Sequence, residues 1–336
     1  MDKKTTIYDI AKALNTTVST VSRALNNSPL ISEETRKAIL KKANELNYRP
    51  NKLASSLSSG KTNIIGVIVP SANIQFFSSV IHSLEKGLKQ AGYKILLYQS
   101  NESLAAEKEG IETLLEAQVD GLILSLSLET KEVDHIKKIQ AEGKPLVVFD
   151  RIHQDLKVPM VSIDDHKAGY IATQHLIDAG YKKIAYVSTR HKTYIFDARF
   201  RGYTDALRDA GITLEKEYII LDELSIQAGI RATERLMKID NKPDAIIGGD
   251  DFTALGIIKA LSELGFVPPK IGVIGFANQT FSEYITPSLS TIDQQATQMG
   301  RECAALFLRL MADNAINEHI VLEPILRCRA SSSGNS

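Results

Sequence analysis

The sequence predicts an N-terminal all-α helix-turn-helix head followed by a two-lobed α/β body of parallel sheets flanked by helices. Three observations predict it. Residues 5–48 carry three short apolar stripes at helical spacing. From Ile64 onward, continuous apolar runs alternate with helical segments, the signature of parallel strands covered on both faces. Eight such runs over the rest of a 336-residue chain suit two lobes better than one sheet.

The first helix spans about Thr6 to Leu14, with Ile7, Ile10, Ala11 and Leu14 on one face. Asn15-Thr16-Thr17 breaks it, and Thr17 can cap a second helix from Val18 to Leu25. A third begins at the cap Ser32 with Glu33 and Glu34 in its first turn, and points Ala38, Ile39, Ala43 and Leu46 inward. Two short helices joined by a tight turn form a helix-turn-helix unit. The second helix exposes Ser19, Thr20, Ser22 and Arg23, which are short hydroxyls and one long donor without an acid. Such a helix fits the major groove, where hydroxyls reach base edges or phosphates and Arg pairs with guanine. The alternative is a helical hairpin packed on the body.

Residues 50–60 read as a linker that can become a helix, with Pro50 at its start, Gly60 at its stop and Leu53, Ala54 and Leu57 as one apolar strip. Ser59-Gly60-Lys61-Thr62 resembles the tail of a phosphate-binding loop, but position 55 is Ser rather than Gly and a strand follows. In the body the expected strands are Ile64–Val69, Ile95–Tyr98, Gly121–Leu124 and Leu146–Phe149, then Ile184–Val187, Tyr218–Leu221, Ala245–Gly248 and Val273–Phe276. Val161-Ser162-Ile163 is the expected crossing between lobes. A helix Gln295–Met311 and a strand Ile320–Leu326 complete them.

Charge is unevenly placed. The chain balances 40 Lys/Arg against 40 Asp/Glu, yet residues 1–62 hold eleven basic and five acidic residues, so a head of +6 sits on a body of −6. Nucleic-acid contact confined to one end follows. The composition, 43% hydrophobic and 24% charged, excludes a disordered or collagen-like chain. Cys303 and Cys328 form no CxxC pair, and the seven His residues show no metal spacing, so neither a structural zinc nor another metal is expected. GxGxxG and GxSxG are absent, so neither a cofactor nor catalysis is expected. The start Met1-Asp2-Lys3-Lys4 leads into no apolar segment, and no run approaches a membrane span. A cytoplasmic location without membrane contact is expected.

Ordered motifs then carry a resemblance. The head reads Tyr8-Asp9-Ile10-Ala11, Val21-Ser22-Arg23-Ala24-Leu25-Asn26, Ser32-Glu33-Glu34-Thr35-Arg36, Leu46-Asn47-Tyr48-Arg49-Pro50-Asn51 and Ala54-Ser55-Ser56-Leu57. The body adds Asp120-Gly121-Leu122-Ile123, His175-Leu176-Ile177 between Gly169 and Gly180, Arg199 followed by Gly202-Tyr203, Asp251 followed by Ala254-Leu255-Gly256, and Pro287-Ser288-Leu289-Ser290-Thr291. Over about residues 5–330 the chain resembles the lac repressor (LacI/GalR) family of bacterial transcription regulators. Its body is similar to periplasmic sugar-binding proteins.

The resemblance implies a homodimer whose heads read a near-palindromic double-stranded operator. It places Val18, Ser19 and Arg23 at base edges, with Arg23 as the strongest direct contact. Thr6, Tyr8, Thr17, Ser22 and Asn26 then serve as phosphate contacts or caps, Thr17 equally well as a cap alone. Leu57, with Ala54 alongside, matches the leucine that paired hinge helices wedge into the minor groove, the alternative being hinge-to-hinge packing. The implied domains are a head at 1–49, a hinge at 50–62, a body at 63–330 and a tail at 331–336. The first lobe takes about 63–161 plus 292–322, and the second about 162–291 plus 323–330.

A small-molecule effector is expected at the C-terminal ends of the strands. The candidates there are Ser71, Phe76, Phe77, Ser125 and Asp150 in the first lobe and Arg199, Asp250, Phe276 and Asn278 in the second. The family places ligand contacts at Arg199, Asp250 and Asp150. The alternatives are a solvated acid at Asp150, a salt bridge from Arg199 to Asp197 or Glu223, and core packing at Phe77. Two departures matter: Ala277-Asn278 follows Gly275-Phe276 where many members have an acid, and Asp250-Asp251 stands where Asn-Asp is usual. With Arg151 and Arg199 as the only basic residues nearby, a neutral sugar is favoured. A nucleobase or other metabolite is the second reading, and a solute-binding protein without regulatory role a third. The polar end Ala330–Ser336 has no heptads, so a tetramerising coiled coil is not expected.

Overall fold

The computed structural model describes residues 5–48, 61–191, 193–313 and 315–334. They fall into two compact units divided between Thr62 and Asn63.

The first unit holds three helices, α1 (Ile7–Ala13), α2 (Val18–Leu25) and α3 (Glu33–Glu45). Each start is fixed by a side chain. Thr6 turns both its amide and its hydroxyl onto Asp9 Oδ2, at 2.8 and 2.7 Å. The Thr17 hydroxyl accepts the Thr20 amide at 3.1 Å, and the Ser32 hydroxyl accepts the Thr35 amide at 3.3 Å. Ile10, Ala11, Val21, Ala24, Ile39 and Ala43 form the core. Ala38, expected inside, is exposed; one residue before Ile39, it lies about 100° round the helix.

The second unit contains two six-stranded sheets. The first has the order β11-β5-β4-β3-β1-β2 and the second β12-β10-β9-β8-β6-β7. In the first sheet β1 is Ile64–Val69, β2 Lys94–Gln99, β3 Gly121–Leu124, β4 Leu146–Phe149, β5 Met160–Ile163 and β11 His319–Leu322. In the second, β6 is Ile184–Thr189, β7 Ile219–Asp222, β8 Ala245–Gly248, β9 Gly272–Phe276, β10 Ser290–Asp293 and β12 Ile325–Arg327. Every ladder is parallel except β10 with β12. The helices used below are α4 (Gln75–Gln90), α5 (Leu104–Glu116), α6 (Asp134–Ala141), α7 (Asp165–Asp178), α8 (Tyr194–Asp209), α9 (Ile226–Leu236), α10 (Asp251–Glu263), α11 (Phe281–Tyr284) and α12 (Ala296–Ala312).

Two sequence expectations change here. The strand expected at Ile320–Leu326 is two strands, one in each sheet, separated by Glu323-Pro324. Proline has no amide to continue a ladder, so the chain leaves the first sheet there and enters the second. Val161-Ser162-Ile163, expected as a crossing, lies inside β5 and pairs with Ile320, Val321 and Leu322.

Close helix contacts rest on glycine. A Cβ on Gly169 of α7 would lie 2.0 Å from the Arg199 carbonyl oxygen of α8. A Cβ on Gly202 would lie equally near the His166 carbonyl. This approach brings the start of α7, with Asp165, against the guanidinium of Arg199.

Candidate functional site

Strand ends of both lobes converge on a cavity of about 380 Å³. Phe76 and Phe77 reach it from the start of α4, Asp150 and Arg151 from the end of β4, Phe196 and Arg199 from α8, Asp250 from the start of α10, and Phe276 from the end of β9. Six of the nine expected effector residues therefore meet: Phe76, Phe77, Asp150, Arg199, Asp250 and Phe276.

The other three do not line it. Ser71 spends its hydroxyl accepting the Asn73 amide at 3.2 Å in the turn after β1. Ser125 is fully buried at the end of β3, and its hydroxyl has no partner among the described residues. Asn278 faces an adjacent cavity of about 470 Å³. Its side chain donates to Asp293 at 3.2 Å and accepts from Arg329 at 2.8 Å. The backbone turns it there through left-handed φ values of 111° at Ala277 and 51° at Asn278.

Arg199 is held by a carboxylate and two aromatic rings. Its Nε donates to Asp165 Oδ1 at 2.8 Å, with both side chains 3% or less exposed. Its guanidinium carbon lies 4.7 Å from the Phe276 ring centre and 5.6 Å from that of Phe196, close enough for cation–π attraction. The sequence named Asp197 or Glu223 as its alternative partner; the structure gives Asp165 instead, because Gly169 and Gly202 let α7 and α8 touch. Arg199 Nη2 is buried and has no partner among the described residues. A buried donor without an acceptor is costly unless a partner enters with whatever fills the cavity.

Arg151 is committed differently. It forks onto Glu102, with Nη2 to Oε1 at 2.8 Å and Nη1 to Oε2, and lies 5.6 Å from the Phe77 ring centre. Glu102, Gln279 and Gln294 also line the cleft and were missed in the sequence. Glu102 sits in the loop between β2 and α5, and no local pattern marks its pairing with a residue 49 positions away.

Burial raises the Asp150 carboxyl above its ordinary range, opposed by Arg151 and Arg199. It raises Asp165 to about 7 against the pull of Arg199. Asp250 is raised by burial too, although its carboxylate accepts the Thr253 amide at 2.7 Å as the cap of α10. Asp251, the second acid of that pair, faces inward. It accepts Gln279 N and Thr291 Oγ1, each at 2.6 Å, and burial pushes it to about 8. It braces β10 and the loop after β9 rather than lining the cleft.

In the first unit, Tyr8, Ser19, Arg23 and Asn26 are exposed, and Val18 and Ser22 are half-buried. Arg23 has no ion-pair partner among the described residues. Thr6 and Thr17 are exposed but hold the caps of α1 and α2. Ala54 and Leu57 lie outside the described residues.

Comparison with known proteins bears on both units. A family model described as bacterial regulatory proteins, lacI family, matches residues 6–51. One described as periplasmic binding proteins and sugar binding domain of LacI family matches residues 62–323. The chain is 33% identical to catabolite control protein A of Priestia megaterium over 321 residues, 95% of this chain and 96% of that one. It superposes on the lac repressor dimer bound to operator and the anti-inducer ONPF with a TM-score of 0.89 at 22% identity, over 99% of this chain and 100% of that one. A LacI family regulator from Enterococcus faecium with bound ribose gives a TM-score of 0.73 at 27% identity, over 81% and 100%. With both regions matched, the chain belongs to the LacI family of bacterial regulatory proteins.

Proposed function

We propose that this protein is a homodimeric repressor of carbohydrate-use genes: its head reads a near-palindromic operator, and an unphosphorylated sugar in the interlobe cleft changes operator affinity. The observation that carries the effector reading is the state of Arg199, locked by Asp165 and two aromatic rings, with Nη2 left for a ligand oxygen. Asp150 and Asp250 supply acceptors for hydroxyls, and Phe76 and Phe276 supply apolar faces for ring C–H groups. Both cleft arginines are paired with carboxylates, which disfavours a phosphorylated ligand. The ribose in the Enterococcus faecium regulator supports a sugar. A nucleobase is the second reading, favoured by the aromatic rings of Phe76, Phe196 and Phe276.

Dimerisation is supported by the outer edges of the two sheets. The edge strand β2 exposes Leu96 and Leu97, and the edge strand β7 exposes Leu221. Unpaired, apolar strand edges are covered in stable proteins, and the lac repressor that shares this fold is a dimer on its operator. Ligand binding closes the lobes. By linkage, closure and operator binding shift each other by the same factor. The division into head 1–49, hinge 50–62 and two-lobed body 63–330, with Leu57 as a minor-groove wedge, belongs to this reading.

The test is thermal unfolding of the full chain against mono- and disaccharides, sugar phosphates and nucleobases. A ligand at about 100 times its Kd adds about 2.7 kcal/mol, a readily visible rise in Tm. Arg199→Ala should erase the shift. A response to nucleobases alone would transfer the assignment to the second reading.

A further inference from the structure

We propose that the effector, within the sugar class read above, carries a basic amine whose ammonium group is taken by the Asp150 carboxylate. It is an amino sugar or another aminated polyol. The inference rests on the cleft being a sugar site and concerns one corner of it.

Asp150 is 5% exposed, lines the cavity, and its carboxylate accepts no hydrogen bond from any described residue. Its backbone is held at a left-handed φ of 59°, unusual for a residue with a side chain. Its amide is pinned to the Val161 carbonyl at 2.8 Å. Its oxygens, unlike the Ser125 hydroxyl, are not sealed off by protein, so a donor can reach them from the cavity, and a strained backbone maintained beside a cavity points to use of that group.

The charge inventory decides which donor fits. Among the described residues the arginines lining the cavity are Arg151 and Arg199, and each is already paired, with Glu102 and Asp165 respectively. Setting those pairs aside leaves Asp150, Asp250 and the rim residue Glu223 facing the cavity, with His191 the sole titratable base. Asp250 has the Thr253 amide as donor; Asp150 has none. A hydroxyl gives Asp150 a hydrogen bond but leaves the excess negative charge. A phosphate or carboxylate adds to it. An ammonium supplies up to three donors and one compensating charge, and a charge-assisted hydrogen bond is the stronger kind.

The experiment is calorimetric titration and thermal unfolding of the full chain, near neutral pH and at matched ionic strength. The probes are glucosamine, N-acetylglucosamine, glucose and glucose 6-phosphate, then the matching galactose series and mono-aminated disaccharides. An amine is expected to raise Tm and to bind about tenfold or more tightly than its hydroxyl and N-acetyl counterparts. In Asp150→Asn, checked for folding by circular dichroism, the amine should lose its advantage over its hydroxyl and N-acetyl counterparts, whatever happens to the affinity they share. Equal or tighter binding of a neutral sugar overturns the amine and leaves the sugar site standing. A preference for the phosphate overturns both. No response to any amine overturns the proposal, as does an amine preference that survives in Asp150→Asn.

Discussion

Gln75 and Thr280, 205 positions apart, are joined by two hydrogen bonds across the two lobes. The Thr280 amide donates to Gln75 Oε1 at 2.8 Å, and Gln75 Nε2 donates to the Thr280 hydroxyl. One end is the first residue of α4, beside Phe76; the other lies just beyond β9 and Phe276. The clasp therefore ties together the two segments that bring aromatic rings into the cleft.

Gln75→Ala should release it. Hydrogen bonds of this kind each contribute about 0.5–1.5 kcal/mol, so global stability should change little. The lobes should separate more readily, seen as a larger radius of gyration in X-ray scattering and faster amide exchange near residues 279–284. An unchanged scattering profile and exchange pattern would show that closure does not depend on this pair.

Gly169→Ala should be strongly destabilising. The new Cβ would meet the backbone oxygen of Arg199, which cannot swing aside as a side-chain tip can. Overpacking of this kind costs about 1–3 kcal/mol and here should reach the upper end. Urea unfolding measures it. Because α7 must move outward, Asp165 and Arg199 should also part, and ligand response should weaken with stability.

Arg23→Ala should weaken operator binding without altering thermal unfolding, since Arg23 is exposed and unpaired among the described residues. A bidentate Arg–guanine contact is worth about 1–3 kcal/mol, so the loss in a mobility-shift titration should be about 5- to 150-fold. A uniform loss on all DNA sequences would instead identify Arg23 as a phosphate contact.

Stability of the body should fall as pH rises from mildly acidic to mildly alkaline. Asp165, facing Arg199, Asp150 and Asp164, is raised from 3.8 to about 7. Asp251, facing Asp250 and Arg329, is raised from 3.8 to about 8. A carboxyl raised in the folded state holds more protons folded than unfolded. Its contribution is complete below the unfolded value and is lost as pH climbs through the folded one. The half-buried acids Asp205 and Asp222, lowered by pairing with His166 and Arg231, act in the opposite sense at more acidic pH, and His175 and His319, lowered by burial, oppose the trend on the acid side of neutral, so the fall is steepest above it. The urea midpoint should drop between about pH 5 and about pH 8, and less steeply in Asp165→Asn.

The three head helices, their caps and the parallel-strand alternation were legible in the chain because each is encoded within a few residues. A stripe at i, i+3, i+4 or a Ser/Thr one position before it needs no distant partner. The cleft acids and Arg199 were legible as strand-end and motif positions. What they touch was not. Asp165 meets Arg199 from 34 residues away, Glu102 meets Arg151 from 49, and Gln75 meets Thr280 from 205. Ser71 and Asn278 sit at strand ends yet turn elsewhere, because a local hydrogen bond or a left-handed backbone sets their aim, and Ser125 is enclosed where β3 ends. Local pattern therefore settles which elements form and which residue types crowd their ends. Pairing, orientation and the charge left unbalanced in the cleft arise only when helices pack at glycine distance and two lobes face each other, because electrostatics and hydrogen bonding depend on separation in space rather than along the chain.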